Sequence, residues 1–267
     1  MLISRSCRST LTRLYALGTP AATVVLLRNG SSPGDVQCLL VQKAKAQRFG
    51  GMWVFPGGTV DDVDKVHSVA STDLDVLATV VNTATRELYE ETQLRLRPDV
   101  GPAFVSHWMP PATEAQRRGK AFSTFFLAAE VDDDQFARVD GSEIVEHQWL
   151  SPAVGLALHA RGKLPLLPPT WLTLETIRRC CASVGSGVSA ESVVHTLQAT
   201  EPRSFETRQG KSSAGRHCFM WQGDSGWATS DPTAPGEERF RLLSPADEPL
   251  SSLRFELDQS GSKPQLP

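Results

Sequence analysis

After a basic leader, two apolar, β-branched runs stand first in the chain: AATVVLLRN (21–29) and VQCLLVQKA (36–44), separated by NGSSPGD, a cluster of turn formers. Such runs around such a break predict two strands joined by a loop. MWVFPGG (52–58) predicts a short strand that ends at Pro56 and breaks into Gly57-Gly58. TVDDVDKVHSVASTD (59–73) is polar and acidic without a sustained period, and predicts a surface loop. From about Leu74 the pattern changes. Leu77, Val81, Ala84 and Leu88 recur at i, i+4, i+7 and i+11, the apolar stripe of a helix running to about Thr92, with Thr72 and Asp75 placed to cap its start.

Farther on, FVSHWMPP (104–111), FSTFFLAAEV (122–131) and EIVEHQWLS (143–151) predict strands, the first two separated by the charged TEAQRRGK. A helix is predicted near 152–161, another opened by Pro169 in LPLLPPTWLTLETIRRC (164–180), and a short one at 189–199. Residues 203–257 predict a mixed β tail with RHCFMWQ and ERFRLLS as strands, and residues 258–267 a frayed end.

Composition narrows the class. The chain has 267 residues, 40% of them hydrophobic, and a formal charge of −3, which describes one large domain or one domain with additions and gives no strongly basic balance for nucleic acid as the main partner. No apolar run approaches the roughly 20 residues of a membrane-spanning helix, so no membrane partner is expected. The five cysteines, Cys7, Cys38, Cys180, Cys181 and Cys218, form no C-x-x-C pair, which favours reduced thiols over a zinc site. The leader, residues 1–19, holds Arg5, Arg8 and Arg13 and no acid, since the first acidic residue is Asp35. That composition is a mitochondrial transit peptide's, or a short basic tail's.

One hexapeptide carries chemistry. In RELYEE (86–91), Glu87, Glu90 and Glu91 stand at i, i+3 and i+4 of the predicted helix, so their carboxylates leave from one stripe beside Leu88. Three repelling acids so placed are either a solvated face with Arg86 as counter-charge or a bed for a hard divalent cation, which takes oxygen ligands.

With a strand ending in FPGG and a helix carrying RELYEET, the chain resembles the Nudix hydrolases, whose signature is G-x5-E-x7-R-E-U-x-E-E-x-G-U with U apolar. Gly58 matches the first glycine, and Arg86, Glu87, Leu88, Glu90, Glu91 and Leu94 match the second half. The signature sets the arginine fourteen places after the glycine, whereas 86 − 58 is 28, so about fourteen residues read as inserted. Counting back from Arg86 puts Ala78 at the early glutamate, leaving Asp73 and Asp75 as the nearest carboxylates, and Gln93 stands where the closing glycine belongs. An insert there, with HWMPP, STFFLAAEV, EHQWLSP and LPLLPPTWLTLETI, is similar to the subgroup that includes the peroxisomal coenzyme A diphosphatases.

The resemblance implies an α/β Nudix fold: a mixed β-sheet sandwiched between helices over residues 20–180, followed by a helical and β extension over 181–257. It implies hydrolysis of a nucleoside-diphosphate-linked molecule by water attack on the diphosphate, with Mg²⁺ or Mn²⁺ on Glu87, Glu90 and Glu91. Glu90 and Glu91 come first as ligands, and Glu87 is ligand or base. Gly57 and Gly58 let backbone approach the metal or phosphates, and Arg86 ties the helix to the preceding loop. A later carboxylate completes many such sites, and Glu146 or Glu143 is its candidate; a strand's alternation lets at most one reach the metal. Lys43, Arg48, Arg117 and Arg118 are candidates for outer phosphates; Trp53, Trp108 and Trp149 stack a base or fill the core; His67, His107 and His147 show no ligand spacing. Coenzyme A or an acyl derivative is the first substrate to try, with capped RNA kept in the panel. The last residues, Gln265-Leu266-Pro267, lack the small-basic-leucine ending of peroxisomal relatives, which favours mitochondrion or cytosol. The alternative is a non-catalytic Nudix-fold module binding a nucleotide or protein.

Overall fold

The computed structural model of the protein describes residues 11–47, 49–66, 72–111, 121–131, 135–139, 141–244 and 255–258. Arg5, Cys7, Arg8, Arg48, His67, Arg117, Arg118 and the end beyond Asp258 lie outside these residues.

β1 (Thr19–Asn29) occupies the middle of a mixed eight-stranded sheet because it is apolar on both faces, with Val24, Val25, Leu26 and Leu27 all buried. It runs parallel to β6 (Phe122–Glu130) and antiparallel to β2 (Val36–Lys43) and β4 (Gly57–Thr59). β3 (Trp53–Val54) and β7 (Ile144–Leu150) pair with β2, and β5 (Ala103–Met109) pairs with β6. The single strand expected over 52–58 is thus two. Proline has no N–H to extend a ladder, so at Pro56 the chain leaves β2 and crosses to β1, where the Pro56 carbonyl accepts the Val24 N–H at 2.9 Å.

α2 (Asp73–Thr92) lies on one face of the sheet with the Val24, Leu26, Leu39 side chains. α3 (Pro152–Ala160), α4 (Pro168–Val184) and α5 (Ala190–Ala199) cover the other, over Val25, Leu27 and Leu40. This is the expected sandwich of a mixed sheet between helices. Among the described residues of the expected loop 59–73 lies a 3-10 turn, Asp62–Asp64, which no local period announces.

Two expected boundaries fall inside packed structure. The leader set at 1–19 reaches into a short helix, α1 (Leu11–Ala16), whose Leu11 is buried, whose Thr12 N–H donates to Asp73 at 2.7 Å, and which is followed directly by β1. The core and extension expected to divide at residue 180 share the main sheet, because β8 (Arg203–Glu206) adds to β5 in parallel. Beyond it, β9 (Arg208–Lys211), β10 (His217–Met220), β11 (Arg241–Leu243) and β12 (Glu256–Asp258) form a second, antiparallel sheet. Its Trp221 and Phe240 enter the core beside Trp108.

A buried histidine ties α1, β5 and β6 together. Ser123 donates its hydroxyl to the Leu14 carbonyl at 2.6 Å, so it accepts from His107 Nε2 at 2.7 Å, and the ring is held neutral with Nδ1 open to Ser204. Burial pushes the His107 pKa down to about 4. The unfolded chain then takes up a proton near the ordinary value of about 6.5 while the native state refuses it, so stability is full above that pH and drains as pH falls toward 4, by roughly 3 kcal/mol in all. Urea melts at pH 7.0 and 4.5 should show the wild type losing roughly 2 kcal/mol more than His107→Gln. Equal losses would remove His107 as the cause.

Candidate active site

Asp64, and not the expected Asp73 or Asp75, is the pivot of the site. It is buried, 3% exposed, and its Oδ1 accepts from Arg86 Nε at 2.9 Å while Oδ2 accepts from Arg86 Nη2 at 2.8 Å, from the Asp61 N–H at 2.9 Å and from the Thr83 hydroxyl at 3.0 Å. Burial works to raise the Asp64 pKa, but the Arg86, Asp61 and Thr83 hydrogen bonds prevail and hold it below the usual carboxylate range. Arg86 Nη2 also donates to the Thr59 carbonyl at 3.0 Å. One guanidinium thereby clamps β4 and the 3-10 turn to α2. Since 64 − 58 is 6, Asp64 stands where the signature's spacing from Gly58 puts its early glutamate. Counting forward from the glycine finds it; counting back from Arg86 does not. Asp73 and Asp75 do other work: Asp73 accepts from Thr12, and Asp75 closes a capping box with Thr72.

The three glutamates are not equivalent. The buried stripe of α2 runs through Val76, Val80, Thr83 and Ala84 and reaches Glu87 and Glu91, so these two turn toward the sheet. Glu91 is 6% exposed; its Oε2 accepts the Gly57 N–H at 3.0 Å and its Oε1 lies 3.3 Å from Lys43 Nζ. Glu87 is 16% exposed and packs against Gly58, where an added Cβ would lie 2.4 Å from its carboxylate. Glu90 is 56% exposed and turned onto Arg86 Nη1 at 3.0 Å. Burial pushes the Glu91 carboxyl up to about 7, with Glu87 adding to the rise and Lys43 and the Gly57 amide opposing it. The Glu87 carboxyl is raised too, by burial first and by Glu90.

Both glycines are needed for this approach. Gly57 has φ +154, and a Cβ there would meet the Ala22 carbonyl oxygen at 2.3 Å, so only glycine lets β4 close on β1 with its N–H aimed at Glu91. The clustered carboxylates, facing a lysine and an arginine already spent on Asp64, form an oxygen-rich, anion-heavy donor set that fits a hard divalent cation. Among the described residues no three His, Cys, Asp or Glu side chains already converge as a ligand set, because Glu90 is turned aside.

Other expected members are placed elsewhere. Glu146 pairs with Gln42, so it leaves the sheet on the face away from Lys43, where it accepts from Gln148 Nε2 at 3.0 Å. Glu143 is exposed. Lys43 is spent on Glu91. Trp53, Trp108 and His107 are core, His147 is half-buried, and Trp149 lies at the sheet edge with Arg28 stacked 4.4 Å over it. In the PPTWLTLETI stretch, Trp171, Leu172, Leu174 and Ile177 are all buried in the core.

Gln93 ends α2 in the left-handed region, φ 61, with its N–H on the Tyr89 carbonyl at 2.8 Å. That conformation favours glycine, the signature's residue here. Gln93→Gly should therefore raise stability by about 1 kcal/mol in a urea melt; a fall would show that the Gln93 side chain, which donates to Tyr89, matters more.

The family profile described as "NUDIX domain" matches residues 18–168. A crystal structure of a NUDIX hydrolase from Alicyclobacillus acidocaldarius is 24% identical, with a TM-score of 0.51, covering 62% of this chain and 94% of that one. The NUDIX domain of Shewanella oneidensis NrtR, complexed with ADP ribose, is 17% identical with a TM-score of 0.44, covering 66% and 98%. A C. elegans Ap4A hydrolase is 18% identical with a TM-score of 0.39, covering 62% and 98%. No curated protein matches the chain. The first of these structures carries the likeness of fold.

Proposed function

The chain belongs to the NUDIX domain family and is a Nudix diphosphatase, and from that premise we propose that Glu87 and Glu91 are its working carboxylates, cleaving a diphosphate linked to a nucleoside. The observation that carries the reading is Glu91, a buried acid held between the Gly57 N–H and Lys43 with a second acid one turn back. Glu87 and Glu91 would hold Mg²⁺ or Mn²⁺, with Glu90 joining if it leaves Arg86. A divalent cation so held supplies charge neutralisation at the phosphate oxygens and acidifies water for attack.

The chain's own residues do the positioning. Arg86 and Asp64 fix β4, so that the Gly57 N–H and the Gly58 backbone present a bare surface beside Glu87. Lys43 and the Gly57 N–H aim the Glu91 carboxylate. Glu87, half-buried and raised in pKa by burial, is either a ligand or the base that takes the water proton.

For the substrate, the spacing 86 − 64, which is 22 where the signature has eight, supports an insertion between Asp64 and Arg86 and with it coenzyme A as the first molecule to test. Purified protein should be assayed on coenzyme A, acetyl-coenzyme A, ADP-ribose, NADH and capped RNA, each with Mg²⁺, Mn²⁺ and chelator, with products identified. Metal-dependent release of a nucleoside monophosphate is expected, and 3′,5′-ADP with 4′-phosphopantetheine from coenzyme A. If coenzyme A is the poorest under both metals the subgroup reading is dropped; if nothing is cleaved the carboxylate assignment falls with it.

A further inference from the structure

β7 is the outermost strand on its side of the main sheet: it pairs with β2, and no described strand pairs with its other edge. Which of its backbone groups face outward follows from β2. The Lys43 N–H donates to the Met52 carbonyl, and the Lys43 carbonyl accepts from the Gly51 N–H, so Lys43 turns its backbone toward β3. By alternation Gln42, Leu40 and Cys38 turn theirs toward β7, where they use the backbone groups of Glu146, Gln148 and Leu150. His147 and Trp149 therefore present their N–H and C=O groups to the outside, where no backbone hydrogen bond among the described residues takes them up.

An open edge is ordinarily blunted by proline, by lysine or by a bulge that twists it away. Residues 144–150 contain no proline and no lysine, and the one irregularity of the pairing lies between Gln42 and Lys43, at the end away from Trp149. Val145 is exposed on the strand itself, and Val154 is exposed in the first turn of α3, directly after its other end. The open edge is thus flanked by apolar side chains.

The segment is also complementary to itself. Laid antiparallel to a second copy about His147, VEHQW (145–149) sets Glu146 opposite Gln148 and the exposed Val145 opposite Trp149, whose ring already carries Arg28 stacked on it. Gln148 Nε2 donates to Glu146 within one chain at 3.0 Å, so the two groups are matched donor to acceptor. Neighbouring registers are worse: centred on Glu146 they oppose two carboxylates, and centred on Gln148 they set Glu146 against Leu150.

We propose that β7 is the interface of a homodimer, in which two copies pair antiparallel about His147 and join their main sheets into one. Each His147 exchanges its N–H and C=O with those of its copy, and Trp149 does so with Val145. Such a contact is isologous, so it closes at two copies and leaves neither β7 edge open.

The test reads size and place together. Sedimentation velocity of the full chain from about 1 to about 100 μM should show a reversible monomer–dimer equilibrium, and hydrogen exchange over the same range should show peptides spanning 144–150 becoming protected as the dimer forms. His147→Pro removes an N–H that the fold leaves unused and the dimer needs, since an edge strand accepts proline where the N–H faces outward. It is expected to weaken the dimer at least about tenfold while the dilute protein keeps its thermal transition. Val145→Lys blunts the same edge without a backbone change and is expected to act likewise. Should His147→Pro not fold, Val145→Lys decides. A chain that stays monomeric at about 100 μM overturns the interface. So does a dimer formed without protection at 144–150, or one that folded His147→Pro or Val145→Lys protein forms at full strength.

Discussion

Glu91→Gln lowers turnover at least about a hundredfold on whichever diphosphate the protein cleaves, and Glu87→Gln does the same. Each change removes one unit of negative charge from the pair that the Gly57 N–H, Gly58 and Lys43 surround, and a charge that acts on the transition state is worth a few kcal/mol. Folding survives, because the amide is nearly isosteric and both carboxylates are already burdened by burial and by a neighbouring acid, Glu91 by Glu87 and Glu87 by Glu90. Glutamine at 91 still accepts the Gly57 N–H, so β4 keeps its place. The measurement is kcat for the purified variants across a metal titration, with thermal melts alongside. Near-wild-type turnover in both variants would falsify the carboxylate assignment. Glu90→Gln adds a third reading: a comparable loss means that its carboxylate leaves Arg86 during turnover, and a loss under about tenfold leaves it as that arginine's partner.

The inequality of these glutamates shows where sequence reasoning stops. Spacing at i, i+3 and i+4 puts all three on one side of a helix, and it says nothing of which one meets a neighbouring strand. Glu91 is buried because β4 and Lys43 arrive beside it, and those contacts join positions 34 and 48 residues apart. The five long strands of the central sheet, β1, β2, β5, β6 and β7, and the span and cap of α2 are legible, since period and capping pairs are local. The sequence places β8 in a β tail and not in the main sheet, because its parallel partner β5 lies 97 residues away at His107 and Ser204, and parallel pairing leaves no turn to read. The helix at Leu11–Ala16 was hidden inside a leader whose basic, serine-rich composition also describes a targeting segment. Asp64 was hidden by arithmetic, since a shift in spacing between two motif halves can be counted from either end.

Asp64 is also where the second large effect is expected. Asp64→Asn should cost about 2–4 kcal/mol of stability, because the amide can accept on one atom only, while Arg86 Nε and Nη2, the Asp61 N–H and the Thr83 hydroxyl all donate to this side chain. Arg86 is 20% exposed, so water recovers part of its loss and the figure stays at the lower end for a buried pair. The sign with pH follows from the lowered pKa: the wild type has the full contribution above the unfolded aspartate value near 4 and loses it as pH falls through the native value, whereas Asp64→Asn has no such step. Turnover should fall tenfold to a hundredfold, since Arg86, released from Asp64, is drawn onto Glu87 and Glu90 and no longer holds the Thr59 carbonyl, which loosens the Gly57–Gly58 backbone around Glu91. Arg86→Met breaks the same clamp from the other side, and the two changes made together should cost much less than their sum, a coupling of at least about 1 kcal/mol in a double-mutant cycle. Arg86→Lys should rescue little, because an ammonium cannot reproduce the two-point contact with Asp64. Strictly additive losses in stability, or full turnover in Asp64→Asn, would mean that the 3-10 turn holds itself and that Arg86 serves only the glutamates.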